Sequence, residues 1–197
     1  MGGINLKKST PIKYVLLYGP SGVGKTFMLY STQSKFNNVL SNIIPTEGVN
    51  YEEIIINKSN ISLGVFDVSG DLKQYNLVNI IMKSVRIEGI IFLVPIEKIE
   101  KYSEYKSELI RVLNNKHLDS DNLVVMVIYN IKSESKEKLS WLGKDVLDNK
   151  LNFKKIKNDF PNIKIYSQII DVNSTVTEEN ELQEYLVEYS EFFSNNE

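Results

Sequence analysis

Short apolar runs alternate along the chain with stretches whose apolar residues recur at helical spacing. Tyr14-Val15-Leu16-Leu17-Tyr18 is one such run, and it meets a Gly-rich turn as a buried strand would. From Lys25 to about Phe36, Phe27, Met28 and Leu29 sit among polar residues, which predicts a helix. Glu53 to Ile56 and Ile61 to Phe66 flank Asn57-Lys58-Ser59-Asn60, the pattern of a β-hairpin. Ile90 to Val94 reads as a further buried strand, followed by a helix in which Tyr102, Tyr105, Leu109 and Val112 share a face. Leu123 to Tyr129 is the next strand, and the polar stretch Lys132 to Lys138 reads as a solvated helix face or loop. Helical pattern returns near Ser140 to Leu151 and near Phe153 to Phe160, and a strand follows from Ile163 to Ile169. The last helix places Leu182, Tyr185, Leu186, Tyr189 and Phe193 on one face.

Strands alternating with helices imply an α/β fold with a mostly parallel central sheet and helices on both faces. The hairpin would supply one antiparallel edge. No internal repeat, Pro- or Gly-rich linker or heptad run interrupts the pattern. The 197 residues suit one good-sized domain, read as 13–197 behind an N-terminal extension over 1–12. The best apolar run, Gly89 to Ile96, is eight residues long, against roughly 20 for a membrane-spanning helix. Met1 to Leu6 lacks the charged-then-apolar build of a secretory signal, and Leu6 stands where myristoylation after Gly2 wants Ser or Thr. A soluble, cytoplasmic protein is expected.

Composition narrows the chemistry. Hydrophobic residues make up 42% and charged residues 24%, the balance of a folded protein. The 23 Lys+Arg against 25 Asp+Glu give a net charge of −2, which argues against a nucleic-acid partner. The absence of cysteine excludes disulfides, Cys-ligated metals and thiol nucleophiles, and the single His117 excludes a multi-histidine metal site. Arg86 and Arg111 are the two arginines, set near apolar neighbours, and read as structural surface residues. Trp141 is expected to pack a helix onto the sheet, and His117 to be solvated.

Gly19-Pro20-Ser21-Gly22-Val23-Gly24-Lys25-Thr26 matches G-x-x-x-x-G-K-[ST] in full. The glycines let the backbone wrap a polyphosphate so that successive N–H groups, those of Ser21, Gly22, Val23 and Gly24 among them, point inward. Lys25 brings a cation to the β- and γ-phosphates, and the Thr26 hydroxyl is a hard oxygen ligand suited to Mg²⁺. The helix that starts there adds its positive end. An accidental Gly-rich turn is the bland alternative, and the strand before and helix after weigh against it.

Two elements follow in order: Pro45-Thr46-Glu47-Gly48-Val49-Asn50 after the first helix, and Asp67-Val68-Ser69-Gly70-Asp71 at a strand end. With them the chain resembles the Arf-like branch of the small GTPases, which has a Pro-Thr-x-Gly-x-Asn switch, a hairpin, then Asp-x-x-Gly. Order and approximate spacing agree from about Lys13 to Asn130. The resemblance implies a small-GTPase-like fold, GTP and GDP as ligands, and Mg²⁺ as cofactor. By position, Thr46 would complete the Mg²⁺ shell and sense the γ-phosphate, Asp67 would hold the metal through water, and the Gly70 N–H would meet the γ-phosphate. Taken singly, Thr46 is an ordinary loop threonine and Asp67 an ordinary turn aspartate; their joint occurrence behind a phosphate loop carries the weight.

The departures are as informative. Asp71 stands where the family has its water-orienting Gln, and a short carboxylate cannot make both hydrogen bonds of an amide. Slow or absent intrinsic hydrolysis is therefore expected. The base-reading Asn-Lys-x-Asp is represented by Asn130-Ile131-Lys132-Ser133, so Ser133 replaces the carboxylate that would accept from guanine. Either guanine selectivity is reduced, or Asp171 in Ile170-Asp171-Val172 supplies the acceptor. Ile4 and Leu6 are the apolar content of the first dozen residues, too little for an interfacial membrane helix.

The leading expectation is a GTP/GDP-controlled switch in intracellular trafficking, cytoplasmic and monomeric, with peripheral membrane contact an option that the N-terminus does not support. On this reading Thr46 to Asn50 and Gly70 to about Val85 carry the signal to effectors, an exchange factor and a GTPase-activating protein. A pseudo-GTPase interaction module with fixed or no nucleotide is the alternative, favoured by Asp71 and Ser133 and opposed by Lys25, Thr26 and Thr46. A small P-loop kinase is a third reading, disfavoured because such enzymes clamp the moving phosphate with several arginines.

Overall fold

The computed structural model describes residues 11–33, 40, 43–56, 61–71, 75–131, 142–172 and 181–194. Its strands are β1 (Ile12–Tyr18), β2 (Val49–Ile56), β3 (Ile61–Val68), β4 (Gly89–Pro95), β5 (Val124–Asn130) and β6 (Lys164–Ile170). The helices among the described residues are α1 (Lys25–Ser31), α2 (Tyr75–Ser84), α3 (Tyr102–Leu113), α4 (Lys144–Leu151), α5 (Phe153–Asp159) and α6 (Glu181–Ser194). A 3-10 segment, Ile96–Lys101, leads into α3.

The sheet order is β2-β3-β1-β4-β5-β6. β2 runs antiparallel to β3, with Ile56 opposite Ile61, and all other neighbours are parallel. This is the expected mostly parallel sheet with one antiparallel edge. Because β1 feeds β3 on one side and β4 on the other, the chain's order reverses at β1, where open α/β sheets bind ligands. The register Leu17↔Asp67, with Pro95↔Asn130↔Ile170, gathers the C-terminal ends of the parallel strands along one rim.

Period-two alternation divides the core. Leu16 and Tyr18 of β1, with Ile90, Phe92 and Val94 of β4, face the layer that includes Val78, Leu109, Leu147 and Ile156. Val15 and Leu17, with Ile91 and Leu93, face Met28 and Leu29 of α1 and Leu182, Leu186 and Tyr189 of α6. Helices therefore cover both faces, and the near-continuous apolar runs of β4 and β5 follow from burial on both sides.

Several local expectations shift. Helix α1 ends at Ser31 instead of near Phe36. Ser31 Oγ donates to Met28 O at 2.9 Å and Thr32 Oγ1 to Leu29 O at 2.7 Å, the back-bonding by which hydroxyl residues compete with helix continuation. Helix α2 had no sequence counterpart beyond a switch segment; Val78, Ile81 and Met82 bury its inner face while Ile80 is exposed. On α6, Leu182, Leu186, Tyr189 and Phe193 are buried as expected, whereas Tyr185 is half-buried. The hairpin turn 57–60, the polar stretch 132–138 and Trp141 lie outside the described residues.

Candidate functional site: a phosphate loop with two converging switch residues

β1 ends in Tyr18, and the chain then turns through Gly19 to Gly24 before α1 begins with Met28 N donating to Gly24 O at 2.8 Å. Gly24 has φ of 95°, in the left-handed region. A Cβ there would lie 3.1 Å from Val172 Cγ2 and 3.2 Å from Asn130 Nδ2, so a side chain would be crowded as well as strained. Ser21 and Gly22 are exposed at the loop's crest and Val23 is buried beneath it.

Lys25 is the charged residue at the centre of this loop. It is 6% exposed, and its Nζ donates to Gly19 O at 3.0 Å and Pro20 O at 3.1 Å. Burial pushes its pKa down from 10.5 to about 8, opposed by the nearby Asp67 charge. Two carbonyl dipoles offset only part of the desolvation of an ammonium, so the site favours an anion beside it.

Thr26, Thr46 and Asp67 come together from three elements. Thr26 Oγ1 donates to Asp67 Oδ2 at 2.6 Å, Thr46 Oγ1 donates to the same oxygen at 3.1 Å, and the two hydroxyl oxygens are 2.6 Å apart. Asp67 is fully buried, and burial raises its pKa against the opposing effects of Thr26, Lys25 and Thr46. Its Oδ1 is buried with no hydrogen-bond partner. An unsatisfied carboxylate oxygen beside two hydroxyls is a hard oxygen set that suits a hydrated Mg²⁺. Among the described residues no three acidic or histidine side chains cluster, so phosphate oxygens would have to complete such a shell.

Gly70 lies directly on the loop. A Cβ at Gly70 would stand 2.2 Å from Ser21 N and 2.4 Å from Pro20 C, both backbone atoms, so glycine alone allows this approach. A cavity of about 280 Å³ lies over the loop between Gly22, Lys25 and Thr26 on one side and Ile43 and Thr46 on the other, with Gly70 at its edge. Asp71 is exposed, and its N–H donates to the buried Ser69 Oγ at 3.3 Å.

At the other end of the loop, Asn130 acts as a clamp. Its Nδ2 donates to Val23 O at 2.8 Å and its Oδ1 accepts from Val172 N at 3.2 Å, all in buried surroundings. The residue after β6, Asp171, is 6% exposed and stands between Ile170, whose carbonyl accepts from Ile131 N at 3.1 Å, and Val172, whose N–H donates to Asn130. The phosphate-binding candidates and the metal candidates thus occupy one rim, with Asn130 and Asp171 at its far end; Ser133 lies outside the described residues.

The family model described as "ADP-ribosylation factor family" matches residues 4–189. The chain belongs to the ADP-ribosylation factor family. It is a small GTPase of the Arf-like type, as the resemblance in its switch motifs implied. Among solved structures it is similar to the Arl6 BBS3 small GTPase of Trypanosoma brucei, determined with the bound nucleotide analogue GppNp. That match has a TM-score of 0.70 at 17% identity, covering 94% of this chain and 98% of that one. The six-stranded order and the single antiparallel pair are the fold shared with that protein.

In this Arf-family chain, sequence reasoning overlooked one group beside the loop. Arg111, read as a surface residue, is half-buried, with its Nη2 donating to Tyr18 Oη at 3.3 Å and its guanidinium 3.8 Å from the centroid of the Tyr75 ring. Arg86 fits the surface reading, pairing with Asp119 at 2.9 Å in an exposed position. The signal that would have singled out Arg111 is its chemistry: one of two arginines in a lysine-rich chain. His117 is exposed as expected.

Proposed function

We propose that the chain is a nucleotide-controlled switch that holds guanosine triphosphate with Mg²⁺ and hydrolyses it slowly. The observation that carries this reading is the convergence of Thr26 Oγ1, Thr46 Oγ1 and Asp67 Oδ2 within 3.1 Å of one another. Thr26 and Thr46 would hold Mg²⁺ directly and Asp67 would hold it through water, with the unpartnered Oδ1 available to that water. The ion would supply positive charge opposite the β- and γ-phosphates. Gly19, Ser21, Gly22, Val23, Gly24 and Lys25 would bind the phosphates, and the Gly70 N–H would meet the terminal one.

Asp171 is the acceptor for guanine on this reading. Its burial at the corner that Asn130 builds with Val172 supports the assignment over a general loss of base selectivity. Slow hydrolysis rests on Asp71, whose carboxylate accepts but cannot donate while ionised, so it orients water poorly for attack. The switch would act in intracellular trafficking, moving between cytoplasm and membrane periphery through effectors, an exchange factor and a GTPase-activating protein.

The test is mass identification of the nucleotide that copurifies with the full chain, followed by titration of GTP, GDP and ATP with and without Mg²⁺. Mg²⁺-dependent preference for GTP and GDP over ATP is expected, and its loss in Asp171→Ala assigns the base contact. A protein indifferent to all three nucleotides would leave an interaction module in place of a switch.

A further inference from the structure

We propose that Arg111 is a positioning residue that fastens helix α2 to helix α3 and, through Tyr18, ties that helix to the first residue of the phosphate loop. The inference rests on the switch reading above and deepens it. It names what in this chain makes the segment after Gly70 answer to the nucleotide.

The connection is built from residues far apart in the chain. The Arg111 guanidinium lies 3.8 Å from the Tyr75 ring centroid, and Tyr75 Oη donates to Arg111 O at 3.1 Å, so Tyr75 is held by both its face and its hydroxyl. Asn115, 8% exposed, donates to Tyr75 Oη at 3.2 Å and to Asn79 Oδ1 at 2.5 Å, which fixes α2 at its first residue and again one turn later. On the other side, Arg111 Nη2 donates to Tyr18 Oη at 3.3 Å and to Glu108, while Tyr18 Oη donates to Glu108 Oε2 at 3.1 Å. Tyr18 is 4% exposed, its ring lies 6.0 Å from that of Phe92, and it is the residue immediately before Gly19. Its pKa is pushed up to about 12, first by burial and next by Glu108, so the hydroxyl stays a donor at neutral pH.

One planar cation therefore serves three partners: a ring face, a phenol and a carboxylate. Lysine could meet the carboxylate as a point charge, but it offers no flat guanidinium to lie over a ring. In this same arrangement Thr46 reaches Asp67 and Gly70 presses against Ser21, so the fastened helix coexists with both close approaches to the loop, which on the switch reading is the triphosphate arrangement. By linkage, whatever stabilises that state raises affinity for the ligand that needs it, here a triphosphate over a diphosphate.

The experiment uses the full chain and three variants, Arg111→Ala, Arg111→Lys and Tyr18→Phe. It measures amide exchange of residues 75–84 without nucleotide and the ratio of affinities for a non-hydrolysable GTP analogue and GDP. Arg111→Ala is expected to speed exchange across α2 about tenfold and to lower the affinity ratio about fivefold, with GDP affinity held. Arg111→Lys should resemble the alanine variant. Tyr18→Phe should leave α2 exchange unchanged yet lower the ratio, an outcome a purely structural staple would not give. Wild-type exchange and ratio in Arg111→Ala would overturn the proposal. So would full rescue by lysine, or an equal loss of both nucleotides together with a lowered Tm. A wild-type chain that bound neither nucleotide would sink the switch reading instead, and the exchange comparison would still decide whether Arg111 holds α2.

Discussion

The hydroxyl oxygens of Thr26 and Thr46 lie 2.6 Å apart, and both residues hydrogen-bond the same oxygen of Asp67. Thr26 belongs to α1, while Thr46 comes from the segment before β2, so their meeting joins the Gly-rich loop's helix to the segment proposed as the first switch. Substituting Thr46→Ala removes one hydroxyl without touching the loop. Affinity for a non-hydrolysable GTP analogue should fall about tenfold, while GDP affinity stays within about twofold. Titration calorimetry in the presence of Mg²⁺ reads both, and an equal loss for the two ligands would contradict the role of Thr46 as a terminal-phosphate sensor.

On the proposed reading Lys25 would stabilise the bound ligand, and its burial makes it costly for the empty fold. Its pKa is lowered from 10.5 to about 8, with burial the main cause, so the folded state releases its proton earlier than the unfolded state. Between pH 8 and 10.5 the unfolded chain binds more protons, and stability from this group rises with pH. Removing the charge in Lys25→Met should therefore stabilise the nucleotide-free protein relative to wild type at pH 7. The advantage should shrink by up to about 3 kcal/mol as pH rises through that window. Denaturant melts at pH 7 and pH 10 measure it, and nucleotide binding should be lost in the same variant.

Asn130 bridges Val23 O and Val172 N from a position that is 3% exposed. Truncation to alanine leaves a buried carbonyl and a buried N–H without their partner, a loss of about 2–4 kcal/mol for two such groups. Asn130→Ala should show that drop in urea melts and weaken nucleotide binding through the loosened loop. Asn130→Asp keeps the acceptor for Val172 and loses the donor to Val23, so it should not restore stability.

Gly70 approaches the phosphate loop more closely than any side chain permits. In Gly70→Ala the new carbon would sit 2.2 Å from Ser21 N, so the loop or the segment after β3 must move. Discrimination between GTP analogue and GDP should disappear, with a stability loss of about 1–3 kcal/mol from the forced shift. Unaltered discrimination would show that the Gly70 contact has no part in sensing the terminal phosphate.

Asp71 is exposed beside this contact. Replacing it with glutamine restores an amide that can both donate and accept toward an attacking water. Single-turnover cleavage of GTP should accelerate at least about tenfold in Asp71→Gln. Brisk cleavage by the unaltered protein would refute slow hydrolysis.

Much of the fold was legible because its signals are local. Burial on both faces turns β1, β4 and β5 into continuous apolar runs, and helical spacing put Tyr102, Tyr105, Leu109 and Val112 of α3 in the core as expected. The stop of α1 at Ser31 was not legible, since it depends on whether hydroxyls at Ser31 and Thr32 turn back onto the helix carbonyls. Helix α2 is different: Val78, Ile81 and Met82 recur at helical spacing and fill its buried face, so its pattern was present in the chain although the segment was read only as a switch.

The sequence by itself determined which atoms are available for phosphate chemistry, because Gly19 to Thr26 are contiguous and their spacing is a property of the backbone alone. It likewise supplied the order of the strands and of the helices other than α2, which short-range periodicity encodes. Tertiary structure decided what those atoms do. Thr26 meets Asp67 across 41 positions and Asn130 reaches Val23 across 107, contacts set by strand order and by the register that lays Leu17 beside Asp67. Whether a hydroxyl, a carboxylate or the Arg111 guanidinium is spent on solvent or on a neighbour depends on where the sheet brings the strand ends. No local pattern in the chain carries that information.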